Sequence, residues 1–313
     1  MELGEIKRAT RFTKNKLTRI RRLLASKMKG DKFAIIAGGS YARGEASRES
    51  DLDFFVICDS AQVEKEIRAE LEKLQNLLCT VVKKPPSLGG AFAQVETIGE
   101  MEKNIGGQSD TNDKITRRIL FLLEGEWLYN QKSFEIYRKR ILGKYIKESI
   151  SEHQLSRFLL NDLIRYYRTI CVDFEYKTVE DGKTWGVRNL KLLFSRKLLY
   201  FSGILVVAES AQLTYKDKLE RSLWLLSMTP IQRVRAICGA RADNALAVYC
   251  EFLENLADGK IRELCARVTV DRTTHTDQFR ALKNRGHHFT WALAKLLDDT
   301  YHSSHSIHTA VLM

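Results

Sequence analysis

The stretch from residue 33 to residue 57 constrains the fold more than any other part of this chain. It begins with the apolar run FAIIAGGS at 33–40 and ends with a second run, DLDFFVI, at 51–57. Short runs of bulky apolar residues bounded by glycine are typical of buried strands. The sequence therefore predicts two strands with a polar, glycine-containing segment between them.

Two aspartates open the second run. Alternate side chains of a strand lie on the same face, so Asp51 and Asp53 are expected to lie side by side while Leu52 and Phe54 point into the core. Adjacent carboxylates repel each other unless a divalent cation lies between them. Because hard oxygen ligands suit Mg²⁺ or Mn²⁺, the pair predicts a site for one of these ions.

The glycines ahead of the aspartates are suited to phosphate binding. Gly38 and Gly39 allow the close approach of backbone N–H groups, which together with the Ser40 hydroxyl can hold phosphate oxygens at a helix N-terminus. Arg43 follows one helical turn later and supplies a cation for the same phosphates. A phosphate cradle beside a metal-binding carboxylate pair suits in-line attack on a nucleoside triphosphate.

The order of these residues resembles a known signature. Gly-Gly-Ser, ten further residues and Asp-Leu-Asp are similar to the signature of the polymerase-β-like nucleotidyltransferase superfamily. The stretch GGSYARGEASRESDLDFFV is especially similar to the bacterial branch that includes the catalytic domain of signal-protein (PII) uridylyltransferases. The resemblance implies transfer of a nucleoside monophosphate from an NTP to an acceptor, with Gly39 and Ser40 at the triphosphate and Asp51 and Asp53 at the metals.

The resemblance also implies a third carboxylate on a later strand. Glu96, in the strand-like stretch AFAQVETI at 91–98, is the candidate, and Asp110 and Asp113 compete with it. A missing third carboxylate would leave nucleotide binding intact and remove catalysis. The chain has no His-Asp dipeptide and no space for the hydrolase and regulatory domains of the uridylyltransferases, so we do not expect a reversible signalling switch.

The pattern along the chain predicts an α+β protein in three parts. Residues 1–29 read as a basic amphipathic helix, with ten Lys and Arg against two Glu. Residues 30–135 alternate strand and helix patterns, with helices at 62–79 and from Asn112, which predicts a small nucleotidyltransferase-type α/β domain with a mixed sheet. Residues 136–313 favour helices throughout and predict an all-helical domain.

Composition and charge indicate the kind of partner and the cellular compartment of the protein. The net charge of +12 suggests anionic partners such as nucleotides, RNA or an acidic protein. The longest uncharged apolar run, Leu198 to Ala208, is too short to span a bilayer, and the charged N-terminus lacks a signal-peptide pattern. Six cysteines without zinc-site spacing are expected to be reduced. These features predict a cytoplasmic protein with no membrane partner.

Several functions remain compatible with the sequence. The predicted activity is Mg²⁺- or Mn²⁺-dependent transfer to an acceptor that is a protein, an RNA or a small molecule. A second enzyme class is a template-independent RNA-end or cyclic-nucleotide synthase. The alternative from another class is an inactive nucleotide- or RNA-binding regulator of the antitoxin type.

Overall fold

A four-stranded sheet organises the N-terminal part of the protein. The computed structural model describes residues 4–82, 94–148, 152–180, 182 and 184–312. The strands are β1 (Phe33–Ala37), β2 (Phe54–Cys58), β3 (Val95–Thr97) and β4 (Glu126–Tyr129). Their order is β3-β2-β1-β4; β1 is antiparallel to β2 and β4, whereas β3 is parallel to β2. The sheet is therefore mixed, as predicted.

Six described helices surround this sheet. They are α1 (Gly4–Lys27), α2 (Gly39–Ala42), α3 (Ala61–Cys79), α4 (Ile98–Glu102), α5 (Asn112–Leu123) and α6 (Gln131–Tyr145). The amphipathic pattern predicted α3 to within one residue. Helix α5 begins where expected, but its N-cap is Thr111, whose side chain accepts a hydrogen bond from the Lys114 N–H.

The regular secondary structure of the C-terminal half is helical in the part of the chain that the structure describes. Its α-helices are α7 (Arg157–Val179), α8 (Gly186–Lys191), α9 (Lys197–Glu209), α10 (Tyr215–Leu226), α11 (Pro230–Cys238), α12 (Asp243–Ala257), α13 (Gly259–Ala266), α14 (Asp277–Thr300) and α15 (Ile307–Ala310). A π-helical turn, Leu192–Arg196, joins α8 to α9. The α+β fold class is confirmed.

Both faces of the sheet are covered by helices. Alternation along β2 sends Phe54 and Val56 to one face, where they pack with residues of α1 and α3. Phe55 and Ile57 lie on the other face and pack with residues of α5 and α6. Because both faces are buried, every residue of β1 and β2 is buried, which explains why their sequences are apolar runs without alternation.

Helix α1 packs on the same face of the sheet as α3. Leu17, Ile20 and Leu24 are buried against the sheet, whereas Ile6 packs against a cluster of helical-half residues. The helix therefore contacts both halves of the molecule along its length. The proposed boundaries at residues 29 and 135 stay predictions; one apolar cluster contains residues from both sides of 135.

The segment before β2 differs from the sequence prediction. Asp51 and Asp53 were predicted within a strand, but β2 begins at Phe54 and the aspartates lie in the segment just before it. Pro85-Pro86 and Gly89-Gly90 predict a loop from the sequence, but this segment lies outside the described residues, as do the first three residues of the stretch at 91–98. All six cysteines are free, and the described part of the chain has no helix long and apolar enough to cross a membrane.

Candidate active site

The turn after β1 brings backbone and carboxylate into contact. Gly38 is extended and donates its N–H to the carbonyl oxygen of Asp53, at 2.9 Å. Gly39 has a φ of +62°, in the left-handed region, and a Cβ at this position would lie 2.5 Å from the Asp53 Oδ2. Only glycine allows both the backbone conformation and the approach. Gly38, Gly39 and Ser40, here called the glycine turn, therefore lie directly beside Asp53.

Substitution of Gly39 tests this close approach. We expect Gly39→Ala to lower the free energy of unfolding by about 1–3 kcal/mol, because alanine at positive φ is strained and its methyl group displaces the Asp53 carboxylate. Gly143→Ala is the matched control: Gly143 lies within α6, where an added Cβ meets nothing within 4 Å. Urea denaturation should show the control unchanged or slightly more stable. Equal effects of the two substitutions would contradict the packing described here.

The aspartate pair, Asp51 and Asp53, is electrostatically strained without a cation. Burial, and to a smaller extent the neighbouring Asp51, raises the pKa of Asp53 to about 6. Leu52, between them, is fully buried in the same cluster as Phe54. The alternation predicted from sequence thus holds for Leu52 and Phe54, although the aspartates precede the strand.

The aspartate pair fits a divalent ion that is shared with a substrate. Mg²⁺ is usually held by one or two carboxylates together with substrate phosphates and water, which matches two acidic side chains beside a glycine turn. Among the residues that the structure describes, no three His, Cys, Asp or Glu side chains cluster as a complete protein site. Asp51 and Asp53 would hold the ion only together with substrate oxygens.

Glu124 holds the glycine turn in place through a hydrogen bond to its backbone. It follows α5 and is fully buried, with its Oε1 accepting the Gly39 N–H at 2.9 Å and its Oε2 accepting the Arg43 Nη1–H at 2.6 Å. Arg196 lies 3.4 Å from the Glu124 Oε1. Although burial favours the neutral form, the two guanidinium groups hold the pKa of Glu124 below its usual value. Glu124 is therefore a buried carboxylate with three partners.

The carbonyls beside Glu124 are held as well. Arg233, fully buried, donates to the Leu123 oxygen at 2.9 Å, and Arg138 donates to the Gly125 oxygen. Burial lowers the pKa of Arg233 to about 9. The segment that carries Glu124 is thus fixed on both sides by arginines, one from α11 and one from α6.

Arg43 has a structural role in this arrangement. Its guanidinium is buried and binds both Glu124 and Glu45, the latter at 2.8 Å. Tyr249 of α12 donates to the other Glu45 oxygen at 2.7 Å. The sequence suggested that Arg43 binds phosphate. Because two buried carboxylates already bind its side chain, we do not assign Arg43 to phosphate binding.

Cations from the helical half face the aspartates. Burial lowers the pKa of Lys191, and the nearby Asp51 and Asp53 partly oppose that shift. Arg196 also acts on Asp53 and partly opposes the rise in the pKa of that carboxyl group. Among the described residues Lys191 forms no hydrogen bond or ion pair through its side chain, so its ammonium group is available to a ligand.

A narrow cleft separates the glycine turn from the helical half. It has a volume of about 50 Å³ and is lined by Ser40, Ser47, Ser50, Lys191 and Arg262, among others. Ligand sites of small molecules commonly measure about 300 Å³ or more. The cleft is therefore smaller than a typical ligand site in this structure.

Glu96 does not join the aspartate pair. It lies opposite Ile57 in the parallel register of β2 and β3, four residues beyond Asp53, or about 13 Å along the strand. Its carboxylate instead forms an ion pair with Arg117. In this arrangement Glu96 lies away from the aspartate pair, and its assignment as third carboxylate stays a prediction.

Asp110 and Asp113, the other candidates for the third carboxylate, have different environments. Asp110 is buried in an ion pair with Arg118, whose Nη2 also contacts Asp162 at 2.9 Å. Asp113 is exposed in the first turn of α5. Neither is placed by any described contact beside Asp51 or Asp53.

Sequence reasoning missed the residues that come from far along the chain. Glu124 ends an apolar run, ILFLLE, and a lone carboxylate directly after five apolar residues is a usable sign of a buried acid. Lys191 and Arg196 belong to a basic stretch at 188–197 whose individual members look like surface charges. Nothing in the sequence pairs these residues with the glycine turn.

Fold and site together define a protein with a mixed-sheet α+β domain that presents a glycine turn beside two aspartates. Residues 17–97, about a quarter of the chain, match a family model described as a nucleotidyltransferase domain. This region of the chain is therefore similar to a nucleotidyltransferase domain, in agreement with the resemblance of its sequence to the polymerase-β-like superfamily. The match does not single out the uridylyltransferase branch. No curated protein matches the chain significantly.

Proposed function

We propose that this protein is a metal-dependent nucleotidyltransferase that moves a nucleoside monophosphate from an NTP to an acceptor and releases pyrophosphate. One observation carries the proposal: the Gly39 backbone is so close to the Asp53 carboxylate that phosphates on the glycine turn and a cation on the aspartates would share ligands. The matched domain supports the same class of reaction.

Each residue of the site has a task in this proposal. Asp53 and Glu124 already accept the Gly38 and Gly39 N–H groups, so the Ser40 N–H and hydroxyl bind the triphosphate oxygens, and Asp51 and Asp53 hold Mg²⁺ or Mn²⁺. The ion supplies Lewis-acid stabilisation of the charge on the entering and leaving oxygens. Lys191 neutralises phosphate charge from the opposite side of the cleft. Glu124 positions Gly39 and does not touch the substrate.

Removal of the Lys191 charge should weaken NTP binding. We expect Lys191→Met to raise the KM for the NTP about 10- to 100-fold, since one charge-assisted contact contributes roughly 1.5–3 kcal/mol. Lys197→Met is the control, because the Lys197 ammonium binds the Thr290 hydroxyl on α14. Steady-state kinetics at saturating metal should show a KM near the parent value for the control. An unchanged KM in Lys191→Met would remove Lys191 from the site.

A direct assay tests the proposed reaction. The purified protein is incubated with Mg²⁺ or Mn²⁺ and each α-labelled NTP in turn, with cell lysate, RNA or no acceptor, beside an Asp51→Asn/Asp53→Asn control. Label transferred by the parent protein alone supports the proposal. Because the sequence resembles the uridylyltransferase catalytic domain, one reaction contains UTP and a protein acceptor. Repeated addition to RNA would indicate an RNA-end synthase, and a product formed without acceptor would indicate a cyclic-nucleotide synthase.

A second candidate is nucleotide binding without turnover. The observation that favours it is that no three acidic, His or Cys side chains form a metal site among the described residues. Glu124, which lies near Asp53, is already bound by Gly39, Arg43 and Arg196, and Glu96 lies further along the sheet. This candidate predicts that Mg²⁺-NTP binds and that no pyrophosphate is released with any acceptor. Calorimetric NTP binding without transfer in the labelled assay would favour it over the enzyme.

A further inference from the structure

The outer face of α1 carries a stripe of cations that the site does not use. The buried residues of α1, from Ala9 to Leu24, lie on the side that faces the sheet and the helical half. The opposite side is exposed, and at 100° per residue its cations fall within an arc of about 140°. We call them the α1 stripe: Lys7, Arg8, Arg11, Lys14, Arg19 and Arg22.

Four of the six cations form no ion pair with any residue that the structure describes. Arg8 forms an ion pair with Glu5 at 2.8 Å. In the part of the chain that the structure describes, no ion pair joins Arg11, Lys14, Arg19 or Arg22 to any carboxylate. Four charges on about 17 Å of helix raise the local potential, which attracts a polyanion.

The character of the face indicates which polyanion it suits. No large hydrophobic side chain is exposed between residues 4 and 29, all of which the structure describes. Protein interfaces usually depend on buried aromatic or aliphatic anchors, and an acidic protein would find none on this face. Cations without apolar anchors instead match a phosphodiester backbone, whose binding is mainly electrostatic.

Helix α1 also connects this face to the cleft. The Ala46 N–H donates to the Thr13 hydroxyl at 3.0 Å, and the Thr10 hydroxyl donates to the Gly44 oxygen at 3.4 Å. Glu5 and Ala9 line the cleft together with Ser40. The stripe is therefore held in a fixed position next to the glycine turn, and its N-terminal end lies at the cleft.

We propose that the α1 stripe binds the backbone of a nucleic-acid strand and that the end of this strand is the acceptor. The acceptor part rests on the proposed function, whereas the binding part does not. The first half of the stripe, Lys7 to Lys14, precedes the matched domain at 17–97 and is a feature of this chain. In the transfer step a terminal hydroxyl oxygen forms a bond to the α-phosphorus, the α–β phosphoanhydride breaks, pyrophosphate leaves and water takes up the hydroxyl proton.

The binding experiment uses the full chain and labelled 20-nucleotide RNA and DNA of one mixed sequence. The test variant carries Gln at Arg11, Lys14, Arg19 and Arg22, a change that preserves helix propensity. The control variant makes the same charge change at four exposed cations of other helices, which form no ion pair with any described residue: Lys65, Lys132, Lys216 and Arg280. Fluorescence anisotropy is measured from 50 to 300 mM salt, and circular dichroism confirms equal folding.

We expect the test variant to bind at least 10-fold more weakly than the parent at 100 mM salt. Its log–log salt slope should be smaller by about 3, since each phosphate contact to a single strand contributes about 0.7. The control should lose less than 3-fold. Equal affinity of the two variants would overturn the proposal, and the RNA and DNA arms identify the strand that is bound.

A transfer experiment separates failure of this inference from failure of the proposed function. Asp53→Asn should bind the strand as the parent does and transfer nothing. If stripe-dependent binding persists and no acceptor receives label from any NTP, the proposed function fails and the binding surface stands. If the parent labels a protein or a small molecule and the test variant does so equally well, the acceptor inference is overturned and the enzyme stands.

Discussion

Asp53→Asn is expected to abolish nucleotidyl transfer and at the same time to stabilise the metal-free protein. Loss of a metal ligand should lower kcat/KM about 1,000-fold or more, since the ion contributes several kcal/mol to the transition state. Asp113→Asn, an exposed acid on α5, is the control and should retain full activity. The labelled-NTP assay measures both variants.

The stability effect has a defined pH dependence. The pKa of Asp53 in the folded protein is about 6, above its ordinary value of 3.8, because of burial and of Asp51. The folded state therefore keeps a proton that the unfolded state releases, so the free energy of unfolding falls as the pH rises from about 4 to about 6. The side-chain amide that Asp53→Asn introduces does not titrate in this range, so the substitution removes the decline.

The size of the effect follows from the shift in pKa. Two pKa units correspond to up to about 3 kcal/mol, so without metal the variant should exceed the parent by up to that amount at pH 7.5 and by little at pH 4. Urea denaturation at the two pH values measures the difference. Added Mg²⁺ should stabilise the parent more than the variant. A variant less stable than the parent at pH 7.5 would contradict the electrostatic strain described for the pair.

Glu124→Gln is expected to cause the largest loss of stability at this site. The substitution removes the charge that Arg43 and Arg196 share and weakens the hold on the Gly39 N–H, while both guanidinium groups stay buried or half-buried. Removal of one partner from a buried ion pair commonly costs about 3–5 kcal/mol, because the remaining charge is left uncompensated. We expect a loss of that size.

Glu126→Gln is the matched control for this effect. Glu126 lies two residues further on and pairs with Arg21, but both side chains are partly exposed. Its replacement should change stability by about 1 kcal/mol or less. Thermal or urea denaturation compares the two variants, and Glu124→Gln should also raise the KM for NTP because the glycine turn loosens. A similar small change in both would refute the role of Glu124 as a buried anchor.

The sequence predicted those parts of the site that depend on neighbouring residues. Strand alternation places Leu52 in the core with Phe54. The glycine turn and the aspartates were both identified from one short stretch of sequence. Periodicity of 3.6 residues identified helix α3 and the helical half. These features follow from local geometry, which one stretch of sequence contains in full.

The remaining features depend on contacts between distant residues. The Glu124 carboxylate meets Gly39 from 85 residues away, and Arg196 reaches Glu124 across 72 residues. The position of Glu96 has a similar origin: a strand's face can be predicted from alternation, but its register against β2 depends on pairing. Because register decides how far Glu96 lies from Asp53, no pattern within residues 91–98 could supply it.

The central claim is that the aspartate pair and the glycine turn form one metal–triphosphate site. The most direct measurement is a crystal structure with Mn²⁺ and an α,β-methylene NTP analogue, in which anomalous scattering locates the metal. We expect a manganese peak between Asp51 and Asp53, with phosphate oxygens next to Gly39 and bound to the Ser40 hydroxyl. Bound analogue with its metal and phosphates away from these four residues would contradict it.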